Sequence, residues 1–323
     1  MSLGSDSPRK PVRMIAIDLD GTLLGAEGEV SAGNRAALNA ALAAGIEVVI
    51  ATGRRHCYAL KVLRRLELPP LLNLVSSNGA VVRRLDSRLV ETTLMARTAA
   101  AWLCGHLAEF RNALVITFDR VNAHGEDTRG ALVVEELADL NSSIARWMEA
   151  NAPYIERVRP IEASLHADDP IQMMLCGTVE RMRRAERLML ADSRVAAAGE
   201  GRAEAVIALN RTEYPDRDLS IVDILPAGCS KGAALLRLAA ARGIAAAEVM
   251  AIGDNWNDVS MLEIAGWPVL MANAPADLLP GAAQQGWSIP GTNLEDGVAK
   301  AIEQALASHS AGSAQRLTAF AQV

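Results

Sequence analysis

The residues of this chain best suited to chemistry stand in short, widely separated segments: Asp18 and Asp20, then Thr52, Gly53 and Arg54, then Asn78, Lys231, and finally Asp254, Asn257 and Asp258. Asp18 and Asp20 are two apart, a spacing that in extended backbone turns both carboxylates to one side. If Asp254 and Asp258 join them there, the carboxylates repel unless a cation sits between them. Hard oxygen ligands with room for water and an anionic substrate point to Mg2+. The formal net charge is −6, so an anionic substrate must be met by local positive charge, for which Lys231 is the candidate. Taken singly, each segment has a simpler reading: Asp-x-Asp-Gly-Thr as a turn with a helix cap, Thr52-Gly53 as helix entry, Asn78-Gly79 as a turn, Lys231 as a solvated surface cation. Their joint occurrence at equivalent places in the element pattern is what favours a site.

That pattern begins with the apolar run Val12 to Ile17, of strand length, which stops at Asp18. Ser31 caps a helix carrying Ala37, Leu38, Ala41 and Leu42 at helical spacing, and Gly45 ends it. A second apolar strand, Ile46 to Ala51, ends at Thr52. A helix from about Tyr58 to Leu66 and a third strand, Leu71 to Ser76, lead to Asn78. Strands that are apolar throughout, alternating with helices, predict an α/β fold with a parallel sheet covered on both faces. From about residue 85 to 215 the strands are less uniformly apolar and the helices carry more charge, as from Arg181 to Arg187, which predicts an α+β insert. The first pattern then resumes with strands at Ile221 to Leu225, Val249 to Ile252 and Trp267 to Met271 and helices at Ser230 to Arg242 and Val259 to Ala265. In an open parallel sheet, ligands bind beyond the carboxyl ends of the strands, where the polar segments fall. The expected organisation is a leader at 1–10, a discontinuous core at 11–84 and 216–307, an inserted domain at 85–215 and a frayed tail at 308–323.

Composition excludes several other classes. Half the residues are hydrophobic and 22% are charged, as in ordinary globular domains. No apolar run approaches the ~18 residues of a membrane span, and no signal-peptide core follows the amino terminus, so a cytoplasmic protein is expected. The acid excess disfavours nucleic-acid or membrane partners. Cys57, Cys104, Cys176 and Cys229 are dispersed and read as small core residues, and the histidines show no metal-ligand spacing. Neither a P-loop nor a dinucleotide fingerprint is present.

The motifs IDLDGTLL (17–24), VVIATGR (48–54), SSNGA (76–80), LPAGCSKG (225–232) and GDNWNDVSML (253–262) resemble those of the haloacid dehalogenase superfamily, and more narrowly its Cof-like subclass IIB phosphatases. The resemblance covers about 12–84 and 216–305. It implies a three-layer Rossmann-like core with a type-B α/β cap, and an Mg2+-dependent phosphatase acting on small phosphorylated metabolites, with sugar phosphates foremost. It implies further that Asp18 is the nucleophile, forming an aspartyl-phosphate, and Asp20 the general acid and base. Asp18, Asp254 and the Asp20 backbone carbonyl would hold the metal. Thr52, Gly53, Lys231 and Asn257 would bind the phosphoryl group. Asp258 would hold a metal-bound water or orient Lys231, with Arg54 and Asn78 in support. Asp223 stands where the family often has an acidic residue, without an evident role, and Trp256 is either a wall of the site or packing beneath its loop. The same residues leave open a phosphomutase or phosphotransferase, and a non-catalytic protein that binds phosphorylated metabolites.

Overall fold

The computed structural model describes residues 9–136, 142–197, 200–214 and 217–320. The expected leader up to residue 8 and the expected boundary at 215–216 lie outside these residues.

In chain order the strands are β1 (Met14–Ile17), β2 (Glu47–Ala51), β3 (Asn73–Ser76), β4 (Val81–Arg84), β5 (Leu89–Thr92), β6 (Leu114–Thr117), β7 (Leu132–Val134), β8 (Ile155–Arg157), β9 (Gln172–Gly177), β10 (Val195–Ala197), β11 (Ile207–Tyr214), β12 (Leu219–Pro226), β13 (Val249–Gly253) and β14 (Trp267–Leu270). The α-helices are α1 (Ala32–Ala43), α2 (His56–Leu63), α3 (Arg97–His106), α4 (Ser142–Asn151), α5 (Val179–Leu190), α6 (Lys231–Ala240), α7 (Val259–Ile264), α8 (Leu279–Gln284) and α9 (Gly297–Phe320). By contacts the chain divides into two compact units, the first made of 1–51, 62–68 and 235–323 and the second of 52–61 and 69–234.

In the first unit, β14, β13, β1 and β2 are parallel neighbours in that order. Every residue of β1 is buried, as a strand flanked on both edges and covered on both faces requires. Met14 pairs with Val249 on one side and Glu47 on the other, so β1, β2 and β13 end in step. The Ser31 hydroxyl accepts from the Asn34 N–H and caps α1, whose buried stripe is Asn34, Ala37, Leu38 and Ala41. Asn34 Oδ1 in turn accepts from the Ala299 N–H of α9 at 2.9 Å. That last helix runs to Phe320, past residue 308, where a frayed tail is expected. The Ala, Gln, Leu and Arg of this segment are good helix formers.

In the second unit, β3, β4 and β5 are antiparallel neighbours, an extension of the pattern that the sequence does not predict. A separate sheet has the order β10-β11-β12-β9-β6-β7-β8, antiparallel except at β10–β11 and β7–β8. Its core includes Phe110, Met173, Leu175, Met182, Met189, Ile207 and Ile224. Helix α5 buries Met182, Ala185 and Met189, while Arg183 and Arg184 pair outward with Glu213 and Glu109, so the charged segment is the solvated face of a packed helix. One strand departs from expectation. Ile221–Leu225 reads as the return of the parallel pattern, but β12 pairs antiparallel with both β9 and β11. Its apolar run satisfies a central strand of either sheet, and Asp223 sits at a half-buried position within it. All four cysteines are free and buried, and among the described residues no helix is long and apolar enough to cross a membrane.

Candidate active site

In the first unit, β1 hands the chain to a tight turn. The Asp18 N–H still donates to Ile252 O of β13, and the Leu23 and Leu24 N–H groups return to Asp18 O and Leu19 O. Gly21 adopts φ +78°, and a Cβ there would lie 2.3 Å from Asp254 Oδ2. Glycine is required twice over, for the left-handed backbone and for the approach of Asp254. Thr22 Oγ1 donates to Asp254 Oδ1 at 2.8 Å in a buried setting. On the opposing loop, Asp258 Oδ2 accepts from the Asp254 and Asn255 N–H groups at 3.0 and 3.1 Å, which folds the segment after β13 back on itself.

These turns bring carboxylate oxygens of Asp18, Asp254 and Asp258 within 4.8 Å of one another, with all three residues buried. At that separation two full charges repel by roughly 3 kcal/mol even at an effective dielectric of about 20. The set is all hard oxygen, and its charge is what a divalent cation balances, so the residues present fit such an ion. Asp20 departs from expectation. Its carboxylate is outside this cluster and the residue is exposed, because the backbone turns immediately after Asp18 and strand alternation no longer applies. Asn257 is partly buried on the same loop, and Trp256, 46% exposed, points away from packing beneath it.

The second unit gathers another set. Thr52 is buried, its N–H donates to Val75 O, and its hydroxyl accepts from the Arg54 N–H. The Ser77 N–H donates to Arg54 O and the Asn78 N–H to Thr52 O, so the segments 52–54 and 77–78, Gly53 included, are laced together. Asn78 is buried at φ +53° and its amide donates to Asp223 Oδ2 at 3.1 Å. Lys231 opens α6 with no exposed surface. Burial pushes the Asp223 carboxyl up to about 6, against the opposing pulls of the Asn78 hydrogen bond and the Lys231 charge.

Three contributions escape sequence reasoning. Thr22 stands in the IDLDGTLL motif, and its hydroxyl two residues after Asp20 is the signal that could have found it. The partner of Asp223 has no sequence signal, because Asn78 reaches it across the fold. Arg55, the neighbour of Arg54, carries no sequence signal either, yet it pairs with Asp127, donates to Asn151 and lies over the Tyr58 and Tyr154 rings.

The family model described as haloacid dehalogenase-like hydrolase matches residues 15–302. The 5-amino-6-(5-phospho-D-ribitylamino)uracil phosphatase YwtE of Bacillus subtilis is 30% identical over 91% of this chain and 98% of its own length. A haloacid dehalogenase-like hydrolase from B. subtilis superposes with TM-score 0.68 at 25% identity, covering 90% of this chain and 99% of that one. A structure described as a subclass IIB sugar phosphatase superposes with TM-score 0.66 at 20% identity, over 91% and 98% of the two chains, and shares the fold.

Proposed function

The chain belongs to the haloacid dehalogenase-like hydrolases, and from that premise we propose that it is an Mg2+-dependent cytoplasmic phosphatase that hydrolyses the phosphomonoester of a small metabolite through an aspartyl-phosphate on Asp18. The observation that carries the reading is the buried set of Asp18, Asp254 and Asp258, with Gly21 leaving the space that Asp254 occupies. Asp18, Asp254 and the backbone carbonyl of Asp20 would hold the ion, with Asp258 fixing the Asp254 loop through the Asp254 and Asn255 N–H groups. Mg2+ supplies the charge neutralisation without which a carboxylate does not approach a phosphate dianion.

Asp18 attacks phosphorus, and the bond from phosphorus to the substrate oxygen breaks as Asp20 gives that oxygen its proton. Asp20, now a carboxylate, takes a proton from water, whose oxygen attacks phosphorus. Inorganic phosphate leaves and Asp18 is restored. An exposed Asp20 suits this task, since it must meet both the leaving group and water. Lys231 places positive charge on the phosphoryl oxygens, and Thr52, the Gly53 N–H and Asn257 bind them, while Arg54 and Asn78 hold the loops from which they act. The inserted segment that carries the second sheet, β12 included, serves as the cap that selects the substrate. The resemblance to a phosphatase of a phosphoribityl intermediate and to a sugar phosphatase supports phosphorylated sugars and sugar-like chains as the substrate class.

The test is phosphate release from a panel of phosphorylated metabolites with Mg2+ and with EDTA, for the wild type and Asp18→Asn. Release that requires both the ion and Asp18 is expected. Isomerised sugar phosphate in place of inorganic phosphate, or release unaffected by Asp18→Asn, overturns the proposal.

A further inference from the structure

Asp223 has no part in the chemistry above, yet it sits at a junction. It is the acidic residue of β12, the strand that leads through Pro226 into α6 and Lys231. From β9 it faces Met174 in register and lies near the Cys176 thiol, which burial pushes up to about 12 and so keeps neutral. From β11 it faces Asn210. The charged group acting on it is Lys231 of α6. Its carboxylate accepts a hydrogen bond from the Asn78 amide.

Asn78 is not an ordinary turn residue. Its backbone is in the left-handed region at φ +53°, its N–H is tied to Thr52 O, and the next residue is pressed against the start of α6. A Cβ on Gly79 would lie 2.2 Å from Ser230 O and 3.1 Å from Lys231 N. The Asn78–Gly79 turn therefore touches the Thr52 loop with its backbone, the start of the Lys231 helix with its glycine and Asp223 with its side chain.

We propose that Asp223 is a positioning residue that locks the Asn78–Gly79 turn against the start of α6, and thereby sets Thr52 and Lys231 as one phosphate-binding unit. Resting on the reading of those two residues as phosphoryl ligands, it gives the half-buried acid of β12 a task in catalysis without contact with substrate. Two features of Asp223 serve that task. Its carboxylate accepts from an amide whose backbone is held in a rarely populated conformation, and its charge is opposite to that of Lys231, which has no exposed surface.

Asp223→Asn keeps the shape and an acceptor for Asn78 but removes the charge, and Asp223→Glu keeps the charge. Inorganic phosphate affinity, read by calorimetry in the presence of Mg2+, is expected to fall about 10-fold in Asp223→Asn, with kcat down by roughly 10 to 100-fold and KM changed much less, because a small misplacement of positioning groups is felt mainly in the transition state. Asp223→Glu recovers part of both losses. Asn78→Ala cuts the same link from the other end, so its effect on phosphate affinity combines with that of Asp223→Asn non-additively. Wild-type phosphate affinity in Asp223→Asn, or strict additivity with Asn78→Ala, overturns the proposal. The phosphate measurement does not depend on turnover: a wild type that binds phosphate but hydrolyses no ester sinks the phosphatase reading and leaves this one standing if Asp223→Asn binds more weakly. If Asp223→Asn does not fold, Asn78→Ala alone must lower phosphate affinity, and failure to do so overturns it.

Discussion

Thr22 Oγ1 donates to Asp254 Oδ1 at 2.8 Å across a buried interface between the loops that follow β1 and β13. The hydroxyl occupies one acceptor site of Asp254 and so restrains the rotation of a carboxylate in the acid cluster. A ligand oriented in this way binds its metal more tightly than a free rotor.

Thr22→Val removes that donor while keeping the shape. Half-saturation by Mg2+, read from phosphate release, should rise about 10-fold or more, as loss of outer partners of a metal ligand commonly gives. Thr22→Ser, which retains the hydroxyl, should stay near wild type.

Gly21 and Gly28 share nearly the same backbone, φ +78° and +73°, but differ in surroundings. A Cβ at Gly21 meets Asp254, whereas one at Gly28 meets nothing within 4 Å. Gly28→Ala should cost roughly 1 kcal/mol of stability, the strain of a left-handed alanine, with turnover intact. Gly21→Ala should displace Asp254 and abolish Mg2+-dependent turnover. Chemical denaturation together with phosphate release separates the two, and equal activity in both variants would count against the close approach.

Asp18→Asn removes one of three clustered negative charges. In EDTA its thermal midpoint should exceed that of the wild type, because like-charge repulsion is relieved, and added Mg2+ should narrow the gap by stabilising the wild type more. Scanning calorimetry in the two buffers checks both signs.

Asp223 gives a pH dependence of stability. Its folded value of about 6 lies above the ordinary carboxylate value, so between about pH 4 and 6 the folded state holds a proton that the unfolded chain has released. Stability from this group therefore falls as pH rises through that window, by up to roughly 3 kcal/mol, less what the solvent still reaching the side chain screens. Asp223→Asn has no such term, so the stability difference, mutant minus wild type, should grow from pH 4.5 to 7 in urea titrations. A difference that shrinks over that range contradicts the assignment.

Arg55 is shielded from water and pairs with Asp127, whose side chain is 6% exposed. Burial pulls the guanidinium below its usual range, so the charge is held at a desolvation cost. Asp127→Ala alone strands that cation and should cost about 3 to 5 kcal/mol, more than the double change Arg55→Met with Asp127→Leu. Denaturant unfolding of the single and double variants measures the ordering.

Much of the scaffold is legible in the chain because it depends on local pattern. A fully buried parallel strand must be apolar at every position, as in β1 and β13, and Ser31 and Gly45 mark their helix ends through backbone groups a few residues away. The segment Ile221–Leu225 is misplaced for the same reason, since an apolar run tells that a strand is central and not which sheet owns it. The Asp20 carboxylate lies outside the acid cluster because strand alternation no longer applies where the backbone turns after Asp18.

The sequence by itself determined the element types, the identity of the acids, the threonine and the lysine, and the demand for a counter-ion that the −6 balance leaves unmet. Only the tertiary structure decided that Asp18 meets Asp254 and Asp258 rather than Asp20, that Thr22 orients Asp254, and that Asp223 answers to Asn78. Side-chain type and short-range spacing are written in the chain, whereas a contact between residues far apart exists only once strand order, register and the clearance at a glycine such as Gly21 have fixed which atoms come within a hydrogen bond of each other.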